Sequence, residues 1–213
     1  MKVKFLVILM IILFPYVLIA HPNNKGFKFA YTSSGIYHDR IDNFASRRNG
    51  FNIALFYEFG NHKFLSFIAQ IEYAQKGFVE KQVETNETGE IIQNVKANTR
   101  LDYLSIPLLI KFKYPRITPE PYFIFGPRFE YLINKRNGVF HFSQIDFKSQ
   151  FVDHLDKFVF GGSFGAGFRL AKIYRLNTLL EFRYHFDFSD SFSKIEEATV
   201  KHNSYNIGLA ISF

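Results

Sequence analysis

Leu180–Phe188 reads LEFRYHFDF. Leu180, Phe182, Tyr184, Phe186 and Phe188 occupy every second position, and Glu181, Arg183, His185 and Asp187 occupy the others. A repeat of two is the repeat of a β-strand, in which successive side chains point to opposite faces. One face of this strand is wholly apolar, and the other carries both signs of charge.

The two faces decide the surroundings. A soluble β-barrel, such as a lipocalin-like carrier, turns its apolar face inward. Eight strands enclose a lumen just wide enough for side chains, so inward rows of Phe and Tyr would overfill it. Turned outward, the aromatic row meets lipid and the charged row pairs inside. A charge facing lipid at mid-depth costs about 2–4 kcal/mol, and the apolar rows of this chain carry almost none.

The same alternation recurs along the chain. It is visible in residues 27–32, 50–59, 64–74, 103–114, 120–131, 158–170 and 205–213, which with 180–188 makes eight runs. Long connections at 36–49, 78–98, 132–157 and 189–203 alternate with short ones at 60–63, 115–119 and 171–176. An even strand count with long and short connections in turn is the pattern of outer-membrane barrels, whose short turns are periplasmic. The spacing predicts an all-β, eight-stranded, antiparallel up-and-down transmembrane β-barrel with both termini on the periplasmic side. Residues 80–98 are the most polar stretch and read as a loop.

Composition agrees. The 213 residues include 28 Phe and 12 Tyr but no Trp, and mean hydropathy is near zero. Lys2 and Lys4 precede an apolar run from Phe5 to Ala20. That run is short for a spanning helix and ends on a small residue, so residues 1–20 read as a signal peptide cut between Ala20 and His21. Residues 21–213 are then the barrel domain, bound for the cell outer membrane. The absence of Cys excludes lipoprotein attachment, disulfides and thiolate metal sites. Without Lys2 and Lys4, 24 basic side chains face 19 acidic ones. The surplus is scattered, so no nucleic-acid-binding face is expected.

On the polar face fall Glu58, Glu72, Lys111, Lys113, Glu120, Arg128, Glu130, Arg169, Glu181, Arg183 and Asp187. Unpaired ions are costly in a low-dielectric space, so these groups are expected to form a lumenal charge network, with Arg169 meeting Glu181 across a short turn. Gly161, Gly165 and Gly167 lie on the same face and leave room for large neighbours. The chain ends on outward-facing Phe213, which fits an assembly signal. Before closure the last strand is an open edge that barrel-assembly machinery can pair with.

Leu101–Tyr114, LDYLSIPLLIKFKY, resembles the Tyr-Leu-x-Ile-Pro-Leu-Leu-x-Lys signature of the PorT-like outer-membrane β-barrel family of Gram-negative bacteria. Tyr73–Gly77 (YAQKG) and Pro121–Leu132 (PYFIFGPRFEYL) are similar to two further segments of that family. The resemblance implies a barrel fold and an outer-membrane location. Family members often carry an acid where this chain has Ser105. Pro107 cannot donate to a strand ladder, which predicts a bulge there.

Catalysis has one candidate. His141 and Ser143 stand two apart, with Asp146 nearby, similar to the His and Ser of outer-membrane lipid A deacylases. Three residues do not by themselves supply base, nucleophile and oxyanion donor. The seven His residues show no metal-type spacing. Residues 161–167 lack the GxGxxG order of a nucleotide loop. No cofactor or metal is therefore expected. The function expected is that of a non-enzymatic barrel with a plugged polar lumen. Its partners are outer-membrane lipid, the assembly machinery, and an envelope or extracellular partner met through the loops. A lipid-modifying hydrolase and a soluble lipocalin-like carrier are the alternatives.

Overall fold

The structure, a computed structural model, describes residues 22–38, 45–60, 62–85, 91–142, 145–148, 155–173, 176–189 and 200–213. Ten strands lie in this part of the chain: β1 (Pro22–His38), β2 (Ala45–Phe59), β3 (Leu65–Thr85), β4 (Ile91–Lys113), β5 (Glu120–Arg136), β6 (Val139–Phe142), β7 (Ile145–Lys148), β8 (Phe158–Ile173), β9 (Leu176–Asp187) and β10 (Val200–Ser212). Eight of them close a barrel in the order β1-β10-β9-β8-β5-β4-β3-β2, and β6 and β7 form a separate hairpin. Each pairing is antiparallel, and the closing seam runs from Gly26 opposite Ser212 to His38 opposite Val200. Closure leaves no sheet edge, which a hydrocarbon environment demands because it offers no water to an unpaired backbone group.

Alternation sorts the side chains as the period of two requires. On β9, Glu181, Arg183, His185 and Asp187 are buried, whereas Phe182 is half exposed. On the other strands Phe29, Leu55, Ile71, Phe123 and Ile207 stand on the outer wall. Outward rings pack across seams, Phe112 on Phe125 at 5.8 Å and Tyr184 on Tyr205 at 4.9 Å. A soluble carrier has the opposite arrangement, so that alternative falls on the sidedness of these residues.

Inside, two apolar clusters lie at different heights. The lower contains Phe56, Ile68, Leu109, Tyr122, Ile124, Leu179 and Ala210. The upper contains Phe78, Leu101, Tyr103 and Val159, with Ile36, Leu132 and Leu155 packed against it. Small residues make the space for this filling. A Cβ on Gly161 would come within 3.1 Å of both Arg128 Nη2 and Asp187 Oδ1, and one on Gly167 within 2.5 Å of the Tyr122 hydroxyl.

Two expectations need correction. The segment 78–98 is not mainly a loop, because β3 and β4 stay paired from Leu65 opposite Phe112 up to Thr85 opposite Ile91. A tilted span needs about 9–11 residues, and these strands have 21 and 23. Beyond the lipid a strand has no apolar side to satisfy, so pairing continues while the alternation that reveals it disappears. Nor does Pro107 sit in a bulge. The register is the same on both sides of it. Instead the ladder lapses, at residues 106 and 107 towards β3 and at residues 108 and 109 towards β5. Pro127 lies on β5 in register with the second gap, so two missing N–H groups account for two gaps.

Candidate functional site

The barrel interior holds most of the polar residues singled out from sequence, in groups stacked along the barrel. At the short-turn end, Glu58 accepts hydrogen bonds from Ser66 Oγ at 2.7 Å, Lys111 Nζ at 3.0 Å and Lys113 Nζ at 3.2 Å. The Lys111 ammonium also lies 4.4 Å from the centre of the Tyr122 ring, at the edge of the lower apolar cluster. β2, β3 and β4 bring this group together because Glu58, Ser66 and Lys111 all take inward positions near their short-turn ends.

Above the lower cluster, Lys28 Nζ lies 3.4 Å from both Glu72 and Glu181. Arg183 spans this layer, donating to Glu181 and, at 2.6 Å, to Gln70 Oε1. Tyr122 Oη donates to Glu181 from below at 3.3 Å. Higher again, Arg128 pairs with Asp187 and lies 3.5 Å from Glu130. Lys76 Nζ is 2.7 Å from each Glu130 oxygen. His202 packs between the Phe78 and Tyr103 rings at 6.2 and 6.5 Å and donates its backbone N–H to Asp187 Oδ2. These charges are almost fully buried and each has an opposite charge in reach, which is how ions are tolerated away from water.

Arg169 and Glu120 do not join these groups. They pair with each other at 2.9 Å at the short-turn rim, with 31% and 15% of their side chains exposed. The expected contact of Arg169 with Glu181 is absent, because Gly167 is the residue opposite Glu181 and Leu179 is opposite Arg169. A two-residue difference in register moves the partner to β5, where Glu120 is opposite Arg169.

Sequence reasoning missed Lys28, Lys76 and His202. Lys28 sits on the polar side of the first run, and its parity was available as a signal. Lys76 and His202 lie past the ends of the runs at 74 and 205, where outward aromatics stop marking the strand. His185 was legible on the polar face, but alternation within one strand does not reveal that it meets Ser163 of β8. The Ser163 Oγ is 2.7 Å from His185 Nδ1, and His185 Nε2 is 2.9 Å from Asn206 Nδ2. All three are buried in the middle of the barrel, out of reach of a substrate, and they serve one another as hydrogen-bond partners.

Ser105 is fully buried and stands opposite Glu72 on one side and Glu130 on the other. An acid there would put three carboxylates abreast, so the neutral hydroxyl suits this chain. The hydrolase candidates are only partly visible. The His141 backbone is opposite Asp146 in the β6–β7 hairpin, and Ser143 lies outside the described residues, as do Ala20 and His21 of the expected cleavage site. Phe213 is half exposed, its backbone exchanging two hydrogen bonds with Lys25 at 2.8 and 3.1 Å.

Comparison with solved structures finds likenesses at low identity. The attachment invasion locus protein Ail of Yersinia pestis is 17% identical, with 91% of this chain and 100% of that chain covered and a TM-score of 0.43. The outer membrane protein OprG of Pseudomonas aeruginosa is 13% identical over 91% and 98%, with a TM-score of 0.45. Neisserial surface protein A is 13% identical over 89% and 97%, with a TM-score of 0.42. No curated protein matches the chain. A family model describing an outer membrane protein β-barrel domain matches residues 23–193. With its lipid-facing wall of Phe, Tyr, Leu and Ile around a charged interior, the chain belongs to the outer membrane β-barrel domain family and resides in the outer membrane.

Proposed function

We propose that this barrel is closed to solutes, has no catalytic role, and acts through its long connections at the end away from the chain termini. The observation that supports this is the order of layers inside. Paired charges of Lys28, Glu72, Glu181, Arg183, Arg128, Glu130 and Lys76 lie between two apolar clusters. An ion crossing the barrel has to break buried pairs and displace close-packed rings, both at heavy cost. The interior then serves as a rigid pillar, and the loops dock an envelope or extracellular partner. The Leu101–Tyr114 signature supports a PorT-like relationship within the broader family, and assembly proceeds through the barrel-assembly machinery.

Planar bilayers test the reading. Purified protein is expected to give no stable conductance above background. Reproducible channels of porin size would overturn it. For catalysis, His141→Ala and Ser143→Ala are expected to leave the mass of lipid A from the producing cells unchanged. A deacylated product that vanishes in either variant would instead establish the hydrolase.

A further inference from the structure

We propose that Arg47 and Arg48, with Arg100 beside them, form a binding site on the outer wall for the phosphate groups of outer-leaflet glycolipid. Consecutive residues of a strand normally face opposite sides. Here the β2–β3 register shifts between Arg47 and Asn52, and both arginines reach the outside. Arg47 lies with its guanidinium carbon 4.5 Å from the centre of the outward Tyr205 ring and donates to Ser33 Oγ and Asn203 Oδ1. Arg48 crosses β3 over Gly77, where a Cβ would approach its Cδ to 2.9 Å. Its Nε then donates to Asn98 Oδ1 on β4 at 2.8 Å.

What these two arginines lack is an acid. Among the described residues their partners are hydroxyl, amide, carbonyl and ring groups, and no carboxylate is within ion-pair distance of either. The neighbouring Asp102 is held at 2.8 Å by Arg100, whose guanidinium also donates to Tyr73 Oη. Lys96 and Arg136 are exposed nearby, Arg136 with its Cα opposite that of Arg100. The result is two guanidinium groups with no direct ion pair of their own within a basic surface.

Their height selects the ligand. Phe51, Tyr73 and Tyr205 are outward rings on this side, and exposed Tyr37 lies farther along β1; aromatic belts of this kind lie at the boundary between hydrocarbon and headgroups. The arginines lie among these rings, at the end bearing the long connections, which faces the outer leaflet. Guanidinium forks match phosphate oxygens in geometry as well as charge. A headgroup phosphate is held at this height by the membrane itself, whereas a soluble polyanion meets the loops before it can reach the wall.

The test is reconstitution of the whole protein into phosphatidylcholine nanodiscs, alone or with added diphosphoryl or dephosphorylated lipid A, reading retained lipid by native mass spectrometry. Diphosphoryl lipid A is expected to be retained and the dephosphorylated form is not. Each basic group near a charged surface contributes enough for about a fivefold change. Arg47→Gln/Arg48→Gln should therefore lower retention at least that far, and Arg47→Lys/Arg48→Lys should keep part of it. Equal retention of both lipids by the wild type overturns the proposal even if the Gln variant fails to fold. So does undiminished retention by a folded Gln variant, or capture of a soluble heparin fragment with no preference for diphosphoryl lipid.

Discussion

Lys76 Nζ lies 2.7 Å from both carboxylate oxygens of Glu130, across 54 residues of sequence, joining β3 to β5 over the intervening β4. Both side chains are almost completely buried. Glu130→Gln leaves Lys76 next to Arg128 with its main counter-charge removed, and breaking a buried pair in this way costs about 3–5 kcal/mol. Lys76→Met leaves Glu130 with Arg128 alone at 3.5 Å. The double variant is expected to be clearly more stable than the sum of the two losses, since neither orphan remains. Urea unfolding in lipid vesicles measures this, and strict additivity would show that the pair is not coupled.

Arg169 provides the contrast. Its partner is Glu120, and both are partly exposed at the short-turn rim. Water and salt screen such a pair, so a double-mutant cycle of Arg169→Ala with Glu120→Ala is expected to give a coupling of about 0–1 kcal/mol. The same cycle with Glu181→Ala should show no coupling, because Glu181 is engaged by Lys28, Arg183 and Tyr122. Strong coupling between Arg169 and Glu181 would mean that the β8–β9 register differs by two residues.

That register is one of the features not legible in the sequence. Parity within a strand follows from alternation, so the inward set including Glu58, Arg128, Arg183 and Asp187 could be read directly. Register between strands depends on turn geometry and bulges, and a slip of two preserves every inward and outward assignment while changing every partner. Strand ends were hidden for a different reason. Lys76, Phe78 and His202 lie where the strands leave lipid, and beyond that height no apolar row marks the period.

Gly77 is the position where backbone strain can be tested. Its φ is +144°, and Ser34 Oγ both accepts from its N–H at 2.8 Å and donates to its carbonyl at 2.9 Å. A side chain there would collide with the Thr99 carbonyl on β4 and press on Arg48. Gly77→Ala is expected to destabilise the barrel by about 1–3 kcal/mol through the unfavourable conformation, with the steric term adding to it. Ser34→Ala should cost about 1–3 kcal/mol for the buried groups it leaves unpaired. Thermal loss of heat-modifiable mobility on gels reports both, and a Gly77→Ala barrel as stable as wild type would contradict the strained geometry.

Phe213 separates assembly from stability. Its backbone makes the last two hydrogen bonds of the closing seam with Lys25, and its half-exposed ring stands 5.5 Å from the Lys25 ammonium. In the finished barrel these contacts are peripheral. Losing two hydrogen bonds costs about 1–3 kcal/mol together, and the seam keeps its pairing from Gly26 opposite Ser212 onward. Before closure the situation differs, because β10 is then an open edge whose terminal aromatic is available for strand addition by the assembly machinery. Deleting Phe213 is therefore expected to leave refolding of purified protein into detergent nearly unchanged while sharply lowering the amount of folded barrel in cell outer membranes. The two measurements must diverge for the ring to be a recognition element. Equal losses in detergent and in cells would make it a structural contact, and no loss in cells would remove it from assembly altogether.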